Sequence, residues 1–145
     1  MGKAIGIVGS EAAKFTSATE AEARAIIYDL LWGADAVVSG ACHLGGVDLY
    51  AAEIGRELGI RVIEHAPRNR KWSTGYMPRN LAIARDCTEC HCITVRSLPV
   101  GYTGMRFDYC YHCKTSEHVK SGGCWTVKQA QKLGKKGCIH VCGAN

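Results

Sequence analysis

The chain alternates between short, continuously apolar runs and longer stretches in which apolar residues recur every three or four positions. Apolar runs occupy residues 4–8 and 36–38, and glycine and serine follow each of them directly. The three-to-four spacing marks the buried face of a helix packed against a sheet. Two such faces are visible in the first half, formed by Ala23, Ile26, Ile27, Leu30 and Leu31 and then by Val47, Ala51, Ile54 and Leu58.

The same alternation continues to the end of the chain. Ile60, Val62 and Ile63 predict a third strand, and Ser17 or Thr19 is expected to cap the first helix. The remaining elements are predicted as a helix at 74–87, a strand at 90–95, a helix at 123–133 and a strand at 136–141. Five strands alternating with four helices predict an α/β fold whose sheet is mainly parallel.

Glycine-containing turns follow the first two predicted strands. Ligands of parallel α/β sheets bind beyond the carboxyl ends of the strands. Three segments are therefore expected to converge at that edge of the sheet, namely Gly9-Ser10, Gly40-Ala41 and the residues after Val95.

A second glycine turn, Gly45-Gly46, precedes Asp48 in the first turn of the second helix. Backbone N–H groups at a helix N-terminus bind anions, and glycine lets the backbone approach them closely. The stretch 39–65 is therefore interpreted as a cradle for a phosphate-type ligand. A turn that simply reverses the chain is the alternative.

Length and composition indicate one compact domain over residues 1–145. With 145 residues, of which 47% are hydrophobic, the chain can bury a core without disulfides. No run approaches the roughly 20 apolar residues of a membrane span, and the chain enters a strand without a signal peptide. We expect a cytoplasmic protein without a membrane partner. Its formal charge of +5 suits anionic partners.

Residues 96–122 interrupt the α/β rhythm and are predicted to form an insertion between the fourth strand and the fourth helix. They are rich in glycine and tyrosine, and the stretch is longer than an ordinary strand-to-helix loop. Such a segment needs its own source of order. Nine cysteines in a chain without a secretion signal indicate metal or redox chemistry.

Cysteine and histidine in the insertion have the spacing Cys-x2-Cys-x4-His-x5-Cys, which looks like a zinc knuckle with one extra residue. The predicted ligands are Cys110, Cys113, His118 and Cys124. Zinc prefers four tetrahedral sulfur and nitrogen ligands in a closed structural site, so Zn²⁺ is the predicted cofactor.

A competing ligand set would combine Cys87, Cys90 and Cys92 with the cysteines of the insertion. Topology disfavours it, because Cys87 and Cys90 belong to the opposite edge of the sheet. Cys92 is expected to be a small buried apolar residue. Cys42 lies at the ligand edge, where it is either a pocket residue or a replacement metal ligand.

The start of the third helix carries a further hint of ligand binding. Trp72 and Tyr76 precede Arg79 and Asn80. A guanidinium fork suits phosphate or carboxylate, and an aromatic ring stacks on a nucleobase. The alternative is a helix start with a solvated arginine and two packed aromatic residues.

Together these phrases resemble the SLOG superfamily, the Rossmann-like nucleotide-binding group that includes the LOG phosphoribohydrolases and the DNA-processing protein DprA. The resemblance implies a three-layer Rossmann-like domain that binds a nucleotide or a nucleotide-derived ligand. Transferred position by position, it implies that the ligand site comprises Gly9, Ser10, Gly40, Ala41, Gly45, Gly46, Asp48, Arg79, Asn80, Gly122, Gly123 and Thr126. Cys124, a predicted metal ligand, directly follows Gly122 and Gly123. Metal binding is therefore expected to fix the start of the fourth helix.

The chain departs from the phosphoribohydrolases after Thr126. The glutamates of that family are replaced here by Val127, Lys128 and Gln129, and neither a lysine nor an amide stabilises an oxocarbenium-like centre. Whether the protein is an enzyme is therefore left open, and a binding role as sensor or carrier is preferred.

Two other functions are kept as alternatives. A nucleotide N-glycosidase, or a related phosphoribohydrolase-like hydrolase, would use an acid outside the usual phrase, such as Glu11, Asp48 or Glu64. Single-stranded nucleic-acid binding, as in DprA, would use Tyr109 and Tyr111 for base stacking. LOG-type relatives pair, so a homodimer is also considered, with Trp32 either an interface residue or a core residue.

Overall fold

The computed structural model describes residues 2–143, which form a five-stranded parallel sheet with helices on both faces. The strand order is β3-β2-β1-β4-β5. The strands are β1 (Ala4–Gly9), β2 (Ala36–Ser39), β3 (Arg61–Glu64), β4 (Glu89–Val95) and β5 (Lys136–Cys142). The helices are α1 (Ser17–Leu31), α2 (Val47–Glu57), α3 (Met77–Asp86) and α4 (Gly122–Lys132). The predicted α/β fold class is confirmed.

Alternation along the strands separates two apolar cores. In β1, Ile5 and Ile7 pack against α1 and α2, whereas Val8 faces α3 and α4. In β4, Ile93 faces the first core and Cys92 the second. Successive strand residues point to opposite faces of a sheet. The result is the three-layer Rossmann-like arrangement, in which the central strands are apolar on both sides.

The first helix is capped one residue before the predicted position. Thr16 is the N-cap: the Thr19 N–H donates to Thr16 Oγ1 at 3.1 Å, and the Thr16 N–H donates to Thr19 Oγ1 at 2.8 Å. The prediction of Ser17 or Thr19 as the cap is therefore wrong, although Thr19 takes part in the capping box. In a capping box the N-cap side chain accepts from the backbone N–H three positions later, and here that side chain is Thr16. Ser17 is therefore the first helical residue.

The third helix begins later than predicted. A single π-helical turn, Trp72–Tyr76, precedes α3, so the predicted start at residue 74 falls inside that turn. Gly75 makes the turn possible, because a Cβ there would lie 2.0 Å from the Asn69 carbonyl oxygen. The turn places Trp72 and Tyr76 beside α4.

The segment between β4 and α4 contains the predicted cysteine cluster and is tied to the sheet. The Val119 N–H donates to the Val95 carbonyl at 2.8 Å, and the Thr94 hydroxyl donates to the Val119 carbonyl at 2.9 Å. These bonds fix where the chain enters α4, at the carboxyl edge of the sheet.

Two surface features bear on assembly and on membranes. Trp32 is 69% exposed, so it lies on the surface and not in the core. None of the helices within residues 2–143 is long and apolar enough to cross a membrane.

Candidate functional site

A cavity of about 300 Å³ opens at the carboxyl edge of the sheet, where β1 ends and α3 and α4 approach each other. Eight of the predicted ligand residues line it, namely Gly9, Ser10, Asp48, Arg79, Asn80, Gly122, Gly123 and Thr126. The sheet edge at which we expected the glycine segments to converge is therefore the edge that carries the cavity.

The other four predicted residues lie outside this lining. A Cβ at Gly40 would lie 2.2 Å from Arg79 Nη1, so this glycine leaves room for the guanidinium. Gly46 has a φ of 82°, and a Cβ there would lie 2.3 Å from the Ser10 carbonyl oxygen. Gly40 and Gly46 thus shape the cavity by making room for residues that line it, without lining it themselves. Direct ligand contact by Gly40, Ala41, Gly45 and Gly46 stays a prediction.

One wall of the cavity is cationic. Lys14, Arg79 and Lys120 all line it. The Lys14 ammonium donates to the Lys120 carbonyl at 3.4 Å, and burial lowers the pKa of Lys14. Arg79 Nε donates to Asn80 Oδ1 at 2.7 Å, but buried Arg79 Nη1 has no hydrogen-bond partner among residues 2–143. A buried donor without a partner carries a desolvation cost, which an anionic ligand would remove.

The N-terminus of α4 forms the adjoining wall. Ser121 caps the helix by accepting a hydrogen bond from the Gly123 N–H at 3.1 Å. The Cys124 N–H donates to the Ser121 carbonyl at 3.1 Å, so the Gly122 N–H and the helix dipole remain to favour an anion. The Thr126 hydroxyl is fully buried and lacks a partner within the described part of the chain. The capped N-terminus of α4 and the Thr126 hydroxyl therefore adjoin the cationic wall of the cavity.

Alanine substitution is expected to destabilise the protein at Gly123 but not at Gly122. In Gly123→Ala the new Cβ would lie 2.8 Å from Cys92 Sγ and 3.0 Å from the Gly9 nitrogen, so we expect a loss of about 1–3 kcal/mol in unfolding free energy from overpacking. In the control Gly122→Ala the Cβ meets nothing within 4 Å. Urea denaturation of both variants is the measurement. Equal destabilisation would contradict this account of Gly123.

A buried ion pair lies behind the cationic wall. Asp48 Oδ2 is 4.0 Å from Arg79 Nη1, and both side chains are about nine-tenths buried. Burial raises the pKa of Asp48 to about 7, while Arg79 and the backbone at Cys42 and Gly40 oppose that rise. Near neutral pH, Asp48 therefore exchanges between a carboxylic acid and a carboxylate inside the cavity.

This pKa predicts a pH-dependent difference between the wild type and Asp48→Asn. The folded pKa of about 7 exceeds the ordinary carboxyl pKa of 3.8, so the stabilisation by Asp48 is complete below pH 3.8 and is lost as the pH rises from there through 7. We expect the stability of the wild type relative to Asp48→Asn to fall by about 1.4 kcal/mol per pH unit across that interval. Denaturant titrations at pH 5, 6, 7 and 8 measure it, and a constant difference would refute the raised pKa.

Next to the cationic wall, the cavity is aromatic and apolar, and the Arg79 guanidinium lies over the Tyr76 ring at 5.6 Å from its centroid. Trp72 and Tyr76 of the π-helical turn and Ile83 of α3 line it. The Trp72 ring packs edge-on against Trp125 at 4.9 Å between centroids, yet Trp72 is 46% exposed. A supported but open indole can stack on a planar ring. The cavity thus places an aromatic surface beside a cationic, helix-capped surface.

Ser10 supplies a hydrogen-bond acceptor to the cavity. Its hydroxyl lies 3.0 Å from Thr94 Oγ1. The Thr94 proton is already donated to the Val119 carbonyl, which can only accept. Ser10 therefore donates to Thr94 and directs a lone pair toward the cavity. The same Val119 carbonyl accepts a hydrogen bond from His118 Nδ1 at 3.0 Å, which links Ser10 to the cysteine cluster.

The predicted metal ligands come together in that cluster. One ligand atom from each of Cys110, Cys113, His118 and Cys124 lies within 4.8 Å of all the others, so the group can hold a metal ion. Since the His118 Nδ1 proton is donated to a carbonyl, its Nε2 is left as the coordinating nitrogen. Three of the four residues are buried.

A tight turn presents the first two cysteines. Cys110 and Thr115 exchange backbone hydrogen bonds of 2.8 Å and 3.2 Å across it. Lys114 completes the turn with a φ of 56°, in the left-handed region. Such a strained non-glycine residue persists where its surroundings impose it. The turn fixes Cys113 beside Cys124.

The competing cysteines take no part in this group. The side chains of Cys87 and Cys90 contact each other, so the disfavoured ribbon-type set is not assembled. Cys92 is fully buried as expected, but its Sγ lies 3.9 Å from Cys124 Sγ. Cys42 lines the cavity, and burial raises its pKa, which keeps the thiol neutral. Cys42 is thus a cavity residue.

Comparison with known proteins supports the fold. Neither a protein-family model nor a curated protein matches the chain. Among solved structures, it is similar to the molybdenum cofactor carrier protein MCP from Chlamydomonas reinhardtii, with 15% identity and a TM-score of 0.62. The match covers 99% of this chain and 91% of that one. At this identity the likeness shows the Rossmann-like fold.

The predicted ligand set contains about half of the residues that line the cavity. The lining residues outside that set are Val8, Glu11, Lys14, Cys42, Trp72, Tyr76, Ile83, Lys120 and Ser121. Of these, the sequence had indicated Trp72 and Tyr76 for ring stacking, Cys42 as a pocket residue or metal ligand and Glu11 as a candidate acid. The lysine and serine directly before the glycine pair were a signal that was not used. Lys14 had none, because it lies on an isolated 3-10 turn whose position depends on tertiary packing.

Proposed function

We propose that the chain is a SLOG-type binding protein, a carrier or sensor that holds one small phosphorylated ligand with a planar ring. The observation that carries this proposal is the pair of unpartnered buried polar groups in the cavity, Arg79 Nη1 and Thr126 Oγ1. A phosphate at the N-terminus of α4 would accept from both groups and from the Gly122 N–H.

The aromatic surface of the cavity suits the ring of the ligand. Trp72 and Tyr76 stack on a planar heterocycle, and Ser10 accepts from one of its N–H or O–H groups. A cavity of about 300 Å³ suits one ring and one or two phosphates. A nucleotide satisfies these requirements, and so does a phosphorylated ring cofactor. The carrier role named for the structural neighbour supports the same class.

We further propose Zn²⁺ as the occupant of the Cys110–Cys113–His118–Cys124 cluster. Three thiolates and one imidazole in a mostly buried group are typical of a structural zinc site. The segment from His118 to Cys124 carries the cavity residues Lys120 to Gly123 between its two ligands. Zinc would therefore hold the anion-binding helix end in place.

A calorimetric titration against a ligand panel tests the binding proposal. The panel contains adenosine, the adenosine and guanosine mono- and diphosphates, inorganic phosphate and the molybdenum cofactor. We expect one site per chain, with tighter binding of a phosphorylated ring compound than of adenosine or phosphate alone. Equal affinity for adenosine and its monophosphate would contradict the phosphate assignment.

One observation favours a hydrolase as the second candidate. Asp48, with a pKa of about 7, and Glu11 line the same cavity. A carboxylic acid that titrates near neutrality suits general acid catalysis. Chromatography of the same panel after prolonged incubation would reveal released base. Release that is lost in Asp48→Asn would establish the hydrolase, and an unchanged panel leaves the carrier or sensor.

A further inference from the structure

The Cys92 thiol lies beside the metal cluster without belonging to it. Cys92 is on β4, is fully buried, and has its Sγ 3.9 Å from Cys124 Sγ. The four clustered side chains already supply every ligand that tetrahedral zinc requires. Cys92 is therefore a spare thiol in contact with a proposed metal ligand.

Cys92 also lies directly beneath the floor of the ligand cavity. Gly123 lines the cavity, and a Cβ at Gly123 would lie 2.8 Å from Cys92 Sγ. Because Gly123 has no side chain, no Cβ atom lies between its backbone at the cavity floor and the Cys92 sulfur. The cavity is therefore the side from which a small oxidant would approach Cys92.

We propose that Cys92 and Cys124 form a dithiol that hydrogen peroxide oxidises to a disulfide, releasing the metal ion. In the first step the Cys92 sulfur attacks one peroxide oxygen; the O–O bond breaks, Cys92 becomes a sulfenic acid and one water leaves. In the second step the Cys124 sulfur attacks the Cys92 sulfur and gives up its metal bond; the S–S bond forms, and the sulfenic oxygen takes a proton from solvent and leaves as water. The two sulfurs lose two electrons, and the peroxide is reduced to two waters.

This inference rests on the proposed metal centre and adds that oxidation controls its metal binding. The sulfurs must approach from 3.9 Å to about 2.05 Å, which turns Cys124 away from Cys110 and Cys113. The helix end that Cys124 anchors also supplies Gly122 and Gly123 to the cavity. Oxidation therefore weakens ligand binding as well as metal binding.

The first experiment treats zinc-loaded full-length protein with one equivalent of hydrogen peroxide. A chromogenic chelator measures the released zinc, and peptide mass spectrometry locates the disulfide. We expect a Cys92–Cys124 linkage, zinc release and recovery of zinc binding after dithiothreitol. A linkage between Cys110 and Cys113, or any pairing without Cys92, would overturn the proposal.

Matched variants separate Cys92 from a general thiol effect. Cys92→Ala and Cys92→Ser are expected to release zinc about tenfold more slowly than the wild type, because Cys124 then has no spare thiol partner. The control Cys90→Ala removes an equally buried thiol of the same strand and should behave like the wild type. Wild-type release rates in both Cys92 variants, with folding verified by thermal melts, would refute the proposal.

Failure of the metal assignment is distinguishable from failure of this inference. Zinc content before oxidation reports on the proposed metal centre. Disulfide mapping on chelator-treated protein reports on the Cys92–Cys124 pair whether or not zinc binds. A correct linkage in protein that never holds zinc would confirm the dithiol and reject its control of a metal ion.

Discussion

Serine at Cys110 is expected to abolish zinc binding, from one ion per chain to none, and to remove the stabilisation that zinc provides. Serine supplies a weak oxygen donor where a tetrahedral zinc site requires a thiolate. At free zinc about 100-fold above the dissociation constant, the wild type should gain about 2.7 kcal/mol of unfolding free energy and Cys110→Ser none. Elemental analysis and denaturation with and without zinc provide the measurement.

The matched control for this prediction is Cys90→Ser. Cys90 is as buried as Cys110 but contacts Cys87 and not the cluster. It should lose stability from its buried hydroxyl yet retain one zinc per chain. Zinc loss from both variants would indicate a global folding defect. Zinc retained by Cys110→Ser would remove Cys110 from the ligand set.

The same variant tests the coupling between the metal centre and the cavity. His118 and Cys124 flank the lining residues Lys120 to Gly123, and His118 shares the Val119 carbonyl with Thr94, the partner of Ser10. Loss of zinc should therefore weaken ligand binding, and by linkage the ligand should tighten zinc. Unchanged ligand affinity in zinc-free Cys110→Ser would show that the two sites are independent.

Replacement of Arg79 by glutamine is expected to weaken binding of a nucleoside monophosphate by about 10–100-fold, since hydrogen bonds to charged groups contribute about 1.5–3 kcal/mol. Arg79 Nη1 is a buried donor without a hydrogen-bond partner in the described structure, with Asp48 Oδ2 4.0 Å away, so the phosphate is its expected acceptor. Binding of the corresponding nucleoside, which lacks the phosphate, should change little. Calorimetry with both compounds measures the two losses.

Arg85→Gln provides the control for Arg79. Arg85 lies on the same helix, is exposed and is absent from the cavity lining. It should bind both compounds like the wild type. An equal loss for nucleoside and nucleotide in Arg79→Gln would mean that Arg79 shapes the cavity through Gly40 and Asp48 and does not bind the phosphate.

The strands and the order of elements follow from the sequence because central parallel strands are buried on both faces. The runs at Ala4 to Val8 and Ala36 to Val38 are continuous for that reason. Helix starts were less predictable. The Thr16 cap is set by two reciprocal hydrogen bonds with Thr19, and the π-helical turn by the contact of Gly75 with Asn69. Neither contact has a periodic signature.

The candidate site likewise contains residues that the sequence predicts and residues that it does not. Short motifs carry a local signal, and eight of the twelve residues implied by the SLOG resemblance line the cavity. Lys14 reaches it only through the packing of a distant turn. The contact between Cys92 and Cys124 joins a strand to a helix end, so strand alternation predicted that Cys92 is buried but not its neighbour.

The most direct test of the central claim is native mass spectrometry of freshly purified protein prepared without chelator. One spectrum reports metal and retained ligand together. The account predicts a zinc-sized mass increment on every chain and a second increment that fragments to a phosphorylated ring compound. A chain that carries neither, and that gains neither after incubation with zinc and the ligand panel, would contradict it.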